Sequence, residues 1–168
     1  GFNRLGGNSV AKTVVAGMIV GEAIADFCAT PAGDMHVSTA LVRDCREQEN
    51  TRFAALAASR GPESASVLMQ RMQAIMSERV GIVRNGEDLT AAVDELKSLL
   101  LRSRQIGLRS SAPGANPELT TAWRVQKMLK LALCVAYGAL QRSESRGAHF
   151  RADFPRRDDA QWLKRTLA

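Results

Sequence analysis

Arg4 stands two residues before Gly6-Gly7-Asn8-Ser9, and the apolar run VAKTVVAGMIVGEAIADF follows at once. A guanidinium is a planar fork that clamps a carboxylate through two parallel bonds, each charged hydrogen bond contributing about 1.5–3 kcal/mol. Gly6 and Gly7 let the backbone approach a ligand closely and adopt positive φ. With Ser9 as N-cap, the N–H groups of the first helical turn and the dipole behind them favour an electron-rich oxygen or an anion. A phosphate, a carboxylate and the N1–C2=O edge of a reduced flavin all qualify. The turn is neither a GxGxxG nor a P-loop, so its spacing alone does not choose among them.

The other residues able to do chemistry are sparse. Cys28, Cys45 and Cys134 are widely spaced, form no CxxC pair, and hold no metal-ligand spacing with His36 or His149. They are expected to be small buried hydrophobes in a reducing compartment. His36 lies in an irregular loop and is expected at the surface. His149 invites a general-base reading, but a structural hydrogen-bonding role is the expectation.

The elements that must position these residues read as helices. Residues 9–29 form the first, apolar on nearly every face and so expected to be buried inside something larger, with Pro31 and Gly33 ending it. Ser38 opens a second helix over 38–60, which Gly61-Pro62 stops, and a third follows over 62–80 with Leu68, Met72, Ile75 and Met76. Residues 87–105 are the clearest amphipathic helix, with Leu89, Ala92, Val93, Leu96, Leu99 and Leu100 at helical spacing. A loop over 106–115 leads to Asn116-Pro117-Glu118, a cap, a first-turn proline and an early acid. The helix it starts runs to about residue 143, and MLKLALCVAYGAL makes it the central helix of an antiparallel bundle. Beyond Glu144 the chain is polar and irregular, with a short helix over 158–166 starting at Asp158-Asp159. The fold class is therefore mainly α: an antiparallel bundle of three long helices plus a shorter one, preceded by the buried helix. Three regions result, 1–34, 35–144 and 145–168.

The 168 residues are 45% hydrophobic, enough for a real core, and only 5% aromatic, which favours helix over sheet. The formal net charge of +6 raises a nucleic-acid reading, but the arginines are interspersed with Asp and Glu and no binding signature is present. A subunit docking on an acidic partner would show the same excess. Lys12, Glu22 and Asp26 interrupt the most apolar stretch, so neither membrane insertion nor a signal peptide is expected. The chain opens without Met on a ligand-type turn, and an interior piece of a larger enzyme is expected.

Two stretches carry a specific resemblance. GFNRLGGNSVAKTVVAGMIVGE resembles the segment of fumarate reductase and succinate dehydrogenase flavoprotein subunits that closes over the flavin. ESRGAHFRADFPRRDDAQWLKRTLA, residues 144–168, resembles the same family's ESRGAHxRxD(Y/F)PxRDD signature, and NPEL through CVAYGAL fits between them. The resemblance implies a subunit that interconverts fumarate and succinate by hydride transfer with FAD. Electrons would pass to or from an iron–sulfur subunit and membrane quinone-binding subunits. Arg4 would bind a substrate carboxylate. Leu5, Gly6, Gly7, Asn8, Ser9, Val10 and Ala11 would contact the flavin ring, chiefly through backbone groups. No catalytic residue is expected in this segment, because the proton-donating arginine would belong to a part absent from it. Residues 1–34 would then be the edge of a truncated FAD-binding domain, 35–144 the helical domain, and 145–168 a tail packing on the catalytic core or a partner subunit. Lys12 departs from the family, which carries Glu there, and a lysine in the first turn works against the helix dipole.

The resemblance also implies a peripheral location on the cytoplasmic face of the bacterial inner membrane, with the periplasmic side as the alternative. The piece alone is expected to be inactive. L-Aspartate oxidase is the competing member, sharing an NRLx(G/S)NS turn and an ESRGxH tail, but Gly6-Gly7 and the RDD…WLKRTLA ending favour the first assignment. Without the two end motifs, the default would be a non-catalytic helical interaction module.

Overall fold

The structure, a computed structural model, describes residues 8–31, 38–110 and 114–166. Its elements follow in the order α1 (Asn8–Cys28), α2 (Thr39–Ala58), α3 (Ala65–Glu78), β1 (Val83–Arg84), α4 (Gly86–Arg102), α5 (Pro117–Gln141), β2 (Phe150–Arg151) and α6 (Asp159–Trp162). The mainly α class is thus as expected. The chain divides into two units, Gly1–Gln48 and Glu49–Ala168.

In the first unit, α1 begins at Asn8, one residue before the expected cap, and runs for 21 residues. None of its residues is buried, and Val10 is 71% exposed. A helix this apolar needs cover from outside the described residues.

The second unit has its own core. Leu68, Met72 and Ile75 of α3 meet Leu89, Ala92, Val93, Leu96 and Leu99 of α4. From α5 come Ala122, Val125, Leu129, Ala132, Ala136 and Ala139, one stripe at helical spacing whose alanines admit the neighbouring helices closely. Leu119, Trp123, Leu133 and Leu140 pack beside that stripe, while Leu131 and Val135 point outward, 66% and 45% exposed. The caps follow the sequence. Asn116 accepts from the Leu119 amide at 3.1 Å, and Asn85 from the Asp88 amide at 2.8 Å.

Two boundaries moved for one reason. The helix expected over 62–80 starts at Ala65, and the one expected over 87–105 ends at Arg102 and tightens into a 3-10 turn at Ser103–Gln105. The segments between pair with each other instead: the Glu63 amide donates to Gln105 O at 3.1 Å and the Gly107 amide to Glu63 O at 3.0 Å. Gly61 and Gly107 sit where the two backbones cross, and a Cβ on either would overlap the other strand's backbone. The sequence shows Gly61 only as a stop and Gly107 only as part of a loop. Their use is a close approach.

Candidate functional site

Of the residues expected to contact ligand, Arg4, Leu5, Gly6 and Gly7 lie outside the described residues, as does His36. Asn8, Ser9, Val10 and Ala11 form the first turn of α1. That turn contains no acid, so no carboxylate of its own competes for the positive end of the helix. Thr13 Oγ1 donates to Ser9 O at 2.8 Å within the helix.

The tail signature folds back on the bundle in a charged network. Glu144 follows the C-terminus of α5 and is fully buried. Its Oε1 accepts from Arg142 Nη1 at 2.5 Å and Arg146 Nε at 2.7 Å, and its Oε2 from Arg146 Nη2 at 3.0 Å and the Asp158 amide at 2.8 Å. Four donors satisfy a buried carboxylate, which is the condition for burying it at all. Arg146 also reaches Asp159 at 2.6 Å, while Arg142 donates to Trp162 O and Lys164 O. One buried glutamate thereby anchors the chain from 142 to 164.

The same segment turns sharply on Gly147. The Arg146 amide donates to His149 O at 2.8 Å and the His149 amide to Arg146 O at 3.0 Å, enclosing Gly147-Ala148. Gly147 has φ of 58°, a left-handed value, and glycine is the residue that a two-residue turn of this kind takes at its first central position. The turn returns the chain to pair β2 in parallel with β1, Val83 opposite Phe150 and Arg84 opposite Arg151. Two-residue strands leave no alternating pattern, and this ladder was not legible in the sequence.

His149 sits between Arg84, whose Nη1 lies 2.8 Å from Nδ1, and Arg142, whose carbonyl lies 3.3 Å from Nε2. An arginine only donates and a carbonyl only accepts, so the ring is neutral with its proton on Nε2. Burial, with the nearby Arg84, Arg151 and Arg142 guanidiniums, pushes its pKa below the usual value. Both nitrogens are engaged, which fits the structural role expected for it.

The Arg146 fork, helped by the Asp158 amide and Arg142, holds the Glu144 carboxyl at about 2. The Arg151 fork does the same for Asp153, also about 2. Both values lie below those of an unfolded chain, so both groups stabilise the fold fully above the ordinary carboxylate pKa. That contribution is lost as pH falls through the folded values. The expected outcome is a melting temperature that is level near neutrality and drops between about pH 4.5 and 2. Circular dichroism melts across that range check it, and Glu144→Gln should flatten the drop. A level curve down to about pH 2.5 would contradict this reading.

The cysteines correct an expectation: Cys28, Cys45 and Cys134 are all exposed. Cys134 faces outward because the buried stripe of α5 passes through Ala132 and Ala136 instead. Among the described residues no group of three His, Cys, Asp or Glu is placed to hold a metal ion.

The signature that forms this network also places the chain among known proteins. Residues 69–168 match the family model described as fumarate reductase flavoprotein C-term. The chain belongs to this family. The resemblance read in NRLGGNS and ESRGAHFRADFPRRDD is thereby borne out. The chain is 45% identical, over 168 residues, to the fumarate reductase flavoprotein subunit of Helicobacter pylori, covering 100% of the chain and 23% of that protein. It is 37% identical over 174 residues to the Mycobacterium tuberculosis fumarate reductase flavoprotein subunit, covering 99% of the chain and 29% of that protein. It is 32% identical over 171 residues to the Bacillus subtilis succinate dehydrogenase flavoprotein subunit, covering all of the chain and 29% of that protein. Among solved structures, an E. coli quinol fumarate reductase superposes with a TM-score of 0.73 at 27% identity, over 79% of this chain and 23% of that one. The Mycobacterium smegmatis Sdh1 complex in the apo form does so at 0.69 and 32% identity, over 95% and 26%. The chain therefore spans about a quarter of the length of the relatives it matches.

What the sequence reading missed is the set of partners inside the tail. Glu144, Arg142, Asp153 and Arg84 were not singled out. The available signal was the alternation of charge from 142 to 159 in a stretch too poor in apolar residues to make a core of its own.

Proposed function

We propose that this chain is part of a flavoprotein subunit that interconverts fumarate and succinate with FAD. Electrons pass to or from an iron–sulfur subunit and quinone, and the subunit sits peripherally at the membrane. The observation that carries the proposal is the pair of motifs at opposite ends of one chain, the ligand turn before α1 and the locked ESRGAHFRADFPRRDD tail. No helix among the described residues is long and apolar enough to cross a membrane, which supports a peripheral place.

The first turn of α1 fits a flavin edge: backbone donors, a helix of 21 residues behind them, and no acid among the first residues. Leu5 to Ala11 would hold that edge and Arg4 a substrate carboxylate. FAD, when bound, supplies the site that accepts or gives the hydride. The chain's own part is to fix substrate position and to lend positive potential where negative charge gathers. The three regions, 1–34, 35–144 and 145–168, would serve as flavin-domain edge, helical domain and tail.

Turnover by the full-length protein tests this. Succinate oxidation with an artificial acceptor and fumarate reduction with a reduced dye are the expected activities. Oxidation of L-aspartate in preference to succinate would overturn the assignment in favour of an aspartate oxidase.

A further inference from the structure

The second unit carries a groove of about 480 Å³ between the end of α2, the end of α4 and the first half of α5. None of its lining residues belongs to the tail network. Leu56, 9% exposed, and the half-buried Leu100 lie at its base, with Trp123 beside them. Four cationic side chains line it, Arg52, Arg104, Lys127 and Lys130, against the single carboxylate of Glu49.

That carboxylate is already engaged. Arg52 Nη1 holds it at 2.8 Å and Lys127 Nζ approaches it at 3.5 Å, while Lys127 also stands 3.5 Å from the centroid of the Trp123 ring. Arg104 and Lys130 have no ion pair among the described residues. Here four positive charges share one negative charge around an apolar base, a local excess of positive potential that favours an anion.

The shape and chemistry select among anions. The groove is half open rather than enclosed, which suits an extended segment better than a sequestered small molecule. Nucleic acid is disfavoured because Lys127 already lies over one face of Trp123, the aromatic ring that lines the groove. An acidic peptide answers all the features: carboxylates for Arg104 and Lys130, and one apolar side chain for the base at Leu56 and Leu100.

We propose that this groove docks an acidic segment of a partner polypeptide, with carboxylates seated on Arg104 and Lys130. The test is zero-length carbodiimide coupling of the full-length protein in its purified assembly, read by mass spectrometry of linked peptides. The Lys127–Glu49 contact serves as the internal reference, since its link shows that the reagent reached the groove. The expected result is Lys130 joined to an Asp or Glu of another polypeptide. Arg104→Gln, which leaves the Lys130 amine in place, should cut that link about tenfold through loss of a charged hydrogen bond. Arg104 is exposed and has no ion pair among the described residues, so the variant should keep its melting temperature. Lys130 joined only to its own polypeptide, or not joined while the reference link forms, overturns the proposal. So does an undiminished Lys130 link in Arg104→Gln.

Discussion

Arg4→Ala, made in the full-length subunit, is expected to lower kcat/KM for fumarate or succinate by about 10²–10⁴-fold while flavin content stays near that of the unaltered protein. The size follows from the chemistry of a bidentate clamp. Two charged hydrogen bonds at about 1.5–3 kcal/mol each amount to about 3–6 kcal/mol of lost positioning. The two readouts separate because the guanidinium would act on substrate placement, whereas the backbone from Leu5 to Ala11 would act on the flavin. Arg4→Lys should recover little, since an ammonium lacks the planar fork. Activity within about threefold of normal in the alanine variant would remove Arg4 from the substrate site and leave the turn as a flavin contact only. Joint loss of flavin and activity would assign it to cofactor binding.

Different parts of this molecule were legible to different degrees, and the reason is local versus non-local information. The α4 stripe and the Asn116-Pro117 start of α5 were readable because periodicity and caps are written within a few residues of where they act. Shorter features set by partners far along the chain were not. The α3 and α4 ends moved because Glu63 pairs with residues 105 and 107, some 40 positions away. The β1–β2 ladder joins residues 83–84 to 150–151 with no pattern in either piece. α5 was expected as the central helix of an antiparallel bundle. Its buried side is an alanine stripe, and its larger residues Leu131, Val135 and Tyr137 face outward. Val125 and Leu129 are buried with the alanines, so hydrophobicity marked part of the contact face, while the close crossing is made by the smallest side chains. The ligand turn was read through its motif, and of it the structure describes only Asn8 to Ala11.

Arg151→Met is expected to destabilise the second unit by about 3–5 kcal/mol, the range for removing one partner from a buried ion pair. The side chain is 3% exposed and ties together the ends of two helices. Its Nη1 donates to Ala139 O at 3.0 Å, Leu140 O at 2.9 Å and Arg142 O at 3.2 Å, carbonyls at the C-terminus of α5 that the helix itself leaves without donors. Its Nε and Nη2 fork Asp153 at 2.8 and 2.7 Å, and Asp153 in turn accepts from the Gly86 amide at 2.9 Å, the first residue of α4. A cation thus sits at a helix C-terminus and an anion at a helix N-terminus, each favoured by the dipole it faces. Gly86 leaves room for this contact, as a Cβ there would lie 3.0 Å from Asp153 Oδ2. Methionine keeps much of the volume but removes the guanidinium from the Ala139 and Leu140 carbonyls, and leaves Arg142 O with His149 Nε2 and Asp153 with the Gly86 amide. Arg151→Lys should recover part of the loss, since an ammonium can meet the carbonyls or the carboxylate but not both with fork geometry. Urea unfolding of the chain reads the difference as a shift in midpoint at constant slope. A loss below about 1 kcal/mol in Arg151→Met would mean that water replaces the guanidinium at the α5 terminus, and that the tail is held by Glu144 alone.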